Sequence, residues 1–118
     1  MRGKPKHDPE LEGGIATALE LFAKMGRVTS RKMFGGAGIY LDGLMFALIS
    51  DSNIYLKADK ANLGRFIAQA CPPFTYHTKD GKVMEISYRL MPESALDDIG
   101  EALVWGRLGY DAALRGKK

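Results

Sequence analysis

The chain predicts an α+β fold, an antiparallel sheet with helices packed on one face. Three observations carry this. Two Asp-Gly pairs, Asp42-Gly43 and Asp80-Gly81, sit between apolar runs of strand length and read as hairpin turns. Stretches of helical period open the chain, close it and interrupt it once. Helices therefore bracket groups of hairpin strands instead of alternating with single strands, as a parallel sheet would require.

The first helix begins at Asp8, a capping residue, with Pro9 in the first turn and Glu10 and Glu12 complementing the helix dipole. Ile15, Leu19, Phe22 and Met25 form its apolar stripe, and Gly26 is its natural C-cap. Gly13 and Gly14 weaken its start. Val28–Phe34, Ala37–Leu41, Leu44–Ser50 and Ile54–Lys57 then read as strands, making three or four before the next helix. In the last of them Ile54 and Leu56 share one face, Tyr55 and Lys57 the other. Asp51-Ser52-Asn53 is turn chemistry.

A second helix is expected from Asp59 to about Ala70, with Leu63, Phe66, Ile67 and Ala70 on its apolar side and Pro72 and Pro73 ending it. Phe74–Thr78 and Val83–Leu90 form a hairpin around Lys79-Asp80-Gly81-Lys82. The last helix is placed from Pro92, with Ser94 and Asp97 resembling a capping box and Asp97 and Asp98 in its first turn. Its stripe is Leu96, Ile99 and Leu103, widened by Trp105, Leu108 and Ala112, and Gly116 closes it.

A chain of 118 residues, 46% hydrophobic and 26% charged, suits one soluble domain. It divides into a disordered basic arm at 1–7, a domain at 8–114 and a basic tail at 115–118. No apolar run reaches the roughly 18 residues of a membrane span, and no apolar segment follows the basic N-terminus as a secretory signal would require. The lone Cys71 fits a reducing compartment, so the cytoplasm is expected. The net charge is +3, but six of the 17 basic residues lie in the two tails. The remaining eleven meet all 14 acidic residues in His7–Leu114, a net of −3 and not the usual footprint of a nucleic-acid reader.

Gly35, Gly36 and Gly38 raise the question of a phosphate loop. Such a loop needs a helix directly after it, whereas Ile39-Tyr40-Leu41 and a hairpin follow here. The glycines therefore read as structural: Gly35 and Gly36 make a turn or bulge, and Gly38 admits a neighbouring ring or backbone. His7 and His77 show no metal-ligand spacing, Cys71 has no positive neighbour in sequence, and the acidic pairs have structural uses in turns and helix starts. Tyr55, Tyr76, Tyr88 and Phe74 read as packing of the sheet in preference to a base-stacking platform. No catalytic residue, metal or cofactor is expected.

The segments RKMFGGAGIYLDGLMFALI, IYLKAD and FTYHTKDGKVMEISYRLMPESALDD resemble the N-terminal domain of the TfoX/Sxy competence regulators. The matching features are Arg31, Met33 to Gly36, Gly38 to Tyr40, the Gly43–Ile49 run, Tyr55 to Lys57, Phe66, Gly81, Met84, Tyr88 and Pro92. The resemblance implies a secretion-chaperone-like α-β(3)-α-β(2)-α fold and no recognised enzymatic activity, and this chain is expected to be a stand-alone first domain. Longer members of some gamma-proteobacteria carry a second domain and act with the cyclic-AMP receptor protein at competence promoters. The reading that follows is a non-enzymatic regulatory module that binds a protein partner, transcription machinery among the candidates, or a second copy of itself. Its candidate surface is Arg31, Lys32, Met33, Phe34, Gly35, Gly36 and Tyr40. The alternative is weak nucleic-acid binding through Arg27, Arg31, Lys32, Lys117 and Lys118. A third reading places a small ligand near Phe34, Tyr40 and His77.

Overall fold

The computed structural model describes residues 9–33 and 35–117. The arm expected at 1–7, the Asp8 cap, Phe34 and Lys118 lie outside the described residues. Helix α1 spans Pro9–Leu21, and a 3-10 turn at Ala23–Met25 prolongs it to Gly26, whose φ of 138° ends it. Strands β1 (Val28–Met33), β2 (Gly36–Leu41), β3 (Leu44–Ser50) and β4 (Asn53–Lys57) follow, so the three or four strands expected are four. Helix α2 is Leu63–Ala68, β5 is Pro73–His77, β6 is Val83–Leu90, and α3 is Ile99–Gly116. The six strands form one antiparallel sheet in the order β1-β2-β3-β4-β6-β5.

Local turn chemistry builds the first half. Asp42 and Gly43 both take positive φ, 52° and 79°, as a type I′ hairpin demands. Asp51 and Ser52 do the same at 51° and 66°, making the β3–β4 connection a two-residue turn. Of the turn or bulge expected at Gly35-Gly36 the structure shows the turn, with Gly35 at φ 79° and Gly36 already in β2; the bulge lies between Ile39 and Tyr40, where the β2–β3 register shifts.

The helices lie on one face. Ala37, Ile39 and Leu41 of β2, Phe46, Ala47 and Ile49 of β3, and Ile54 and Leu56 of β4 are buried there with Ile15, Ala18 and Phe22 of the α1 segment. Phe46 joins the layers, meeting Phe22 edge-on at 5.3 Å and Tyr110 of α3 at 6.2 Å. Helix α3 lies flat because its inner face is small: a Cβ on Gly109 would stand 2.9 Å from the Phe46 carbonyl oxygen.

The expectations for the second and last helices need correction. The second helix is six residues, not twelve, because the Asp59 carboxylate accepts from the Ala61 and Asn62 amides and makes a turn of 59–62. Ala70 stops it at φ 56°, and Ile67, expected on the apolar side with Ala70, is 57% exposed; Phe66 alone is fully buried, against Trp105 at 5.2 Å. The last helix begins at Ile99, after a separate 3-10 turn at Glu93–Leu96. Its cap is Asp98, which accepts from the Gly100 and Glu101 amides, while Ser94 donates to Glu101 and makes no box with Asp97. Leu96 and Ile99 are exposed, and the inner stripe is Ala102, Trp105, Gly106, Gly109, Ala112 and Ala113.

Asn62 is the one buried polar residue among those described, at 2% exposure. Its Nδ2 donates to the carbonyls of Lys57 (3.2 Å) and Leu108 (2.9 Å), and its Oδ1 accepts from the Asp59 amide (2.8 Å). It thus ties the end of β4 to the middle of α3 and to its own turn. Asn62→Ala removes three bonds and leaves buried groups unpaired, so a loss of about 2–4 kcal/mol is expected in urea unfolding. A loss under about 1 kcal/mol would deny Asn62 this role.

Candidate functional site

The side chains that alternate away from the helices form the sheet's other face. Among the described residues no helix covers it, yet it is apolar. Met33 of β1, Met45 and Leu48 of β3, Phe74 and Tyr76 of β5 and Ile86 of β6 line a groove of about 550 Å³, which Gly36, Ile49 and Ser50 complete. Tyr55 meets Phe74 edge-on at 5.0 Å, and Phe74 stacks near Tyr76 at 6.4 Å, giving the groove an aromatic side.

The glycines make room for this face. A Cβ on Gly36 would stand 2.2 Å from the Ile49 carbonyl oxygen, a clash with backbone. One on Gly38 would stand 2.8 Å from Met45 Sδ, 3.0 Å from the Tyr40 ring and 3.1 Å from Met33 Cε, all side-chain atoms. Gly38 is therefore the gap into which two thioethers and a ring fold.

Two cations cap the face. The Arg31 guanidinium lies 5.6 Å from the centre of the Tyr40 ring, and the Lys57 ammonium 5.2 Å from that of Tyr88. Tyr88 is buried, with its hydroxyl 3.5 Å from the Met45 carbonyl. Burial first, and the neighbouring Tyr40 phenol second, push the Tyr88 hydroxyl up to about 12.

The candidate surface read from the sequence is only partly one surface. Met33 and Gly36 line the groove, and Arg31 and Tyr40 sit beside it on the same face. Lys32 projects from the opposite face and pairs with Glu12 of α1. Gly35 is an exposed turn residue, and Phe34 lies outside the described residues. Of the proposed nucleic-acid contacts, Arg27 is exposed in the bend before β1, Arg31 and Lys32 point apart, Lys117 caps the end of α3, and Lys118 lies outside the described residues.

Sequence reasoning left Met45, Leu48, Ser50, Phe74, Tyr76 and Ile86 out of the site. One signal was available: Leu44–Ile49 is an unbroken apolar run, which marks a strand with apolar contacts on both faces. His77 is exposed at the end of β5. The Cys71 thiol is buried and pushed up by desolvation, offset by Arg89, whose Nη1 donates to the Cys71 carbonyl at 2.9 Å. Among the described residues no three His, Cys, Asp or Glu side chains gather as a metal site would need.

Comparison with known proteins gives a match to a model of the TfoX N-terminal domain over residues 20–113. The chain is 30% identical over 92 residues to the DNA transformation protein TfoX1 of Aliivibrio fischeri, covering 72% of this chain and 44% of that protein. It is 26% identical over 103 residues to Protein Sxy of Escherichia coli, covering 87% and 49%. The chain thus spans about half the length of the curated relatives it matches.

Two outcomes follow. Gly36→Ala is expected to destabilise more than Gly38→Ala, by about 1–3 kcal/mol in denaturant unfolding, because a carbonyl cannot yield as a thioether can. Equal costs would refute the close approach at Gly36. In an alkaline absorbance titration, the last tyrosine to ionise is expected near pH 12 and to vanish in Tyr88→Phe. Because the folded chain holds this proton more tightly than the ordinary value of 10, the contribution is full below pH 10 and lost as pH rises towards 12.

Proposed function

The chain belongs to the TfoX N-terminal domain family, and from that premise we propose that it is a non-catalytic module of competence-type regulation that binds a protein partner through the open face of its sheet. The single observation that carries the reading is the apolar groove between Met33 and Tyr76 on a face that no described helix covers. Contiguous apolar surface of this kind marks interaction sites. Methionines suit it, since Met33 and Met45 have unbranched, polarisable side chains that mould to what they meet. Membership supports the regulatory half of the proposal, because one relative is named a DNA transformation protein. That relative is more than twice as long as the matched segment, so this chain corresponds to one portion of it.

No described helix is long and apolar enough to cross a membrane, and the proposed place of action is the cytoplasm. The nucleic-acid alternative has less support. Arg31 and Lys32 leave β1 on opposite faces, and Lys32 is neutralised by Glu12, so the densest basic cluster of the sequence is not one basic patch in space.

A photo-reactive phenylalanine in place of Tyr76 tests this in the host cell, with the same group at Glu20 on the exposed side of α1 as control. A discrete protein adduct is expected from position 76, lost in Met33→Asp, and absent from position 20. No adduct, or equal labelling from both positions, would sink the reading; an adduct of doubled mass would make the partner a second copy.

A further inference from the structure

The second half of the sheet contains an empty strand position. Strand β6 is eight residues long, but its ladder with β4 covers only Tyr88, Arg89 and Leu90. The Ala58 amide adds one bond to the Ser87 carbonyl at 2.8 Å, and then the chain leaves the sheet. Two restraints pull it away. Asn62 holds the Lys57 carbonyl, and Arg115 of α3 grips Asp59 with two bonds of 2.6 and 2.9 Å. Where β4 peels away, a cleft of about 630 Å³ lies between Glu85–Arg89 of β6, the Ala58–Leu63 segment and the end of α3, and Val83 and Met84 continue the strand beyond it.

The backbone on that side is free to bond. In an antiparallel strand alternate residues address alternate neighbours. The Ser87 carbonyl and the Met91 amide bond to the β4 side, at Ala58 and Ile54, whereas the Leu90 amide bonds to Pro72 on the β5 side. Odd positions therefore face the β4 side: the N–H and C=O groups of Glu85 face the cleft, and those of Val83 face the strand position vacated beyond it.

The chain shields its other edges and not this one. β5 opens with Pro73, and β1 carries Arg31 and Lys32, the residues that discourage strand addition. Val83, Met84 and Ile86 are instead 61%, 41% and 37% exposed, with no proline or lysine among residues 83–87. The cleft is also cationic: Lys57, Lys60, Arg89 and Arg115 line it against Asp59 and Glu85.

We propose that this vacancy beside Val83–Ile86 is a strand-addition site for an extended segment of a partner protein, apolar where it lies over Met84 and Ile86 and acidic where it faces Lys60. Main-chain bonds to Val83 and Glu85 would hold it, and the alternation of its side chains would select it. The inference stands apart from the groove reading, since it rests on the β6 backbone.

The test pans a displayed library of short random peptides against the whole chain, then measures a synthetic copy of the enriched sequence. Glu85→Pro removes the outward N–H and leaves the β5 ladder intact, which amide protection at Tyr76 and Met84 verifies. Lys60→Glu reverses the charge without touching backbone, so the test survives if the proline variant misfolds. Enrichment of alternating apolar and acidic residues is expected, with each variant weakening binding about tenfold. No enrichment, enrichment of basic peptides, or affinity untouched by both variants would overturn the proposal. So would a concentration-dependent dimer abolished by Glu85→Pro, which would give the position to a second copy.

Discussion

The departure of β4 from the sheet is the constraint on which the rest of the architecture depends, and one buried amide enforces it. Asn62 bonds the last carbonyl of β4 and a carbonyl in the middle of α3, so strand, turn and helix meet at a single side chain. Only an amide can donate twice and accept once in that setting without carrying charge. Because the chain leaves at Lys57, α2 swings up to place Phe66 against Trp105, and β5 and β6 return to the sheet as a hairpin with β6 innermost. The same departure leaves β6 longer than its neighbour.

The two faces of the sheet follow different rules. The helix face is filled to contact by aromatic rings and by the small residues of α3, as Gly109 shows against the Phe46 carbonyl. The open face is filled by side chains lying down on their own strand neighbours: thioethers over Gly38, phenols under cations, Tyr88 beneath its own sheet. Glycines in β2 permit this, since a side chain at position 38 would lift that layer off the backbone and one at position 36 would strike the Ile49 carbonyl of the neighbouring strand. The family resemblance in the glycine segment thus has a packing reason, namely close contact of β2 with β1 and β3.

The first half of the fold was legible because its signals are local. Asp42-Gly43 and Asp51-Ser52 specify hairpins within a few residues, and β1 to β4 follow from them in order. The second half depends on contacts far apart in sequence. Although the Asp98 cap of α3 is a local signal, spaced three residues before Glu101, that the reading of Ser94 and Asp97 passed over, nothing near Ile67 reveals that Phe66 of α2 packs against Trp105 of α3. The groove was hidden for the same reason. Met33 of β1 and Tyr76 of β5 line one groove although they belong to the two outermost strands of the sheet, a meeting no periodicity encodes. Lys32 and Arg31, adjacent in sequence, were read as one cluster although consecutive strand residues project oppositely.

Cys71 closes the corner where α2 hands over to β5. Its thiol is 4% exposed and its carbonyl is held by Arg89, reaching across from β6. The thiol becomes available to a reagent only when that corner comes apart. Since the chain has one cysteine, its alkylation rate is a built-in clock for local opening: the ratio of the observed rate to that of a free thiol gives the fraction of time the α2–β5 junction is undone.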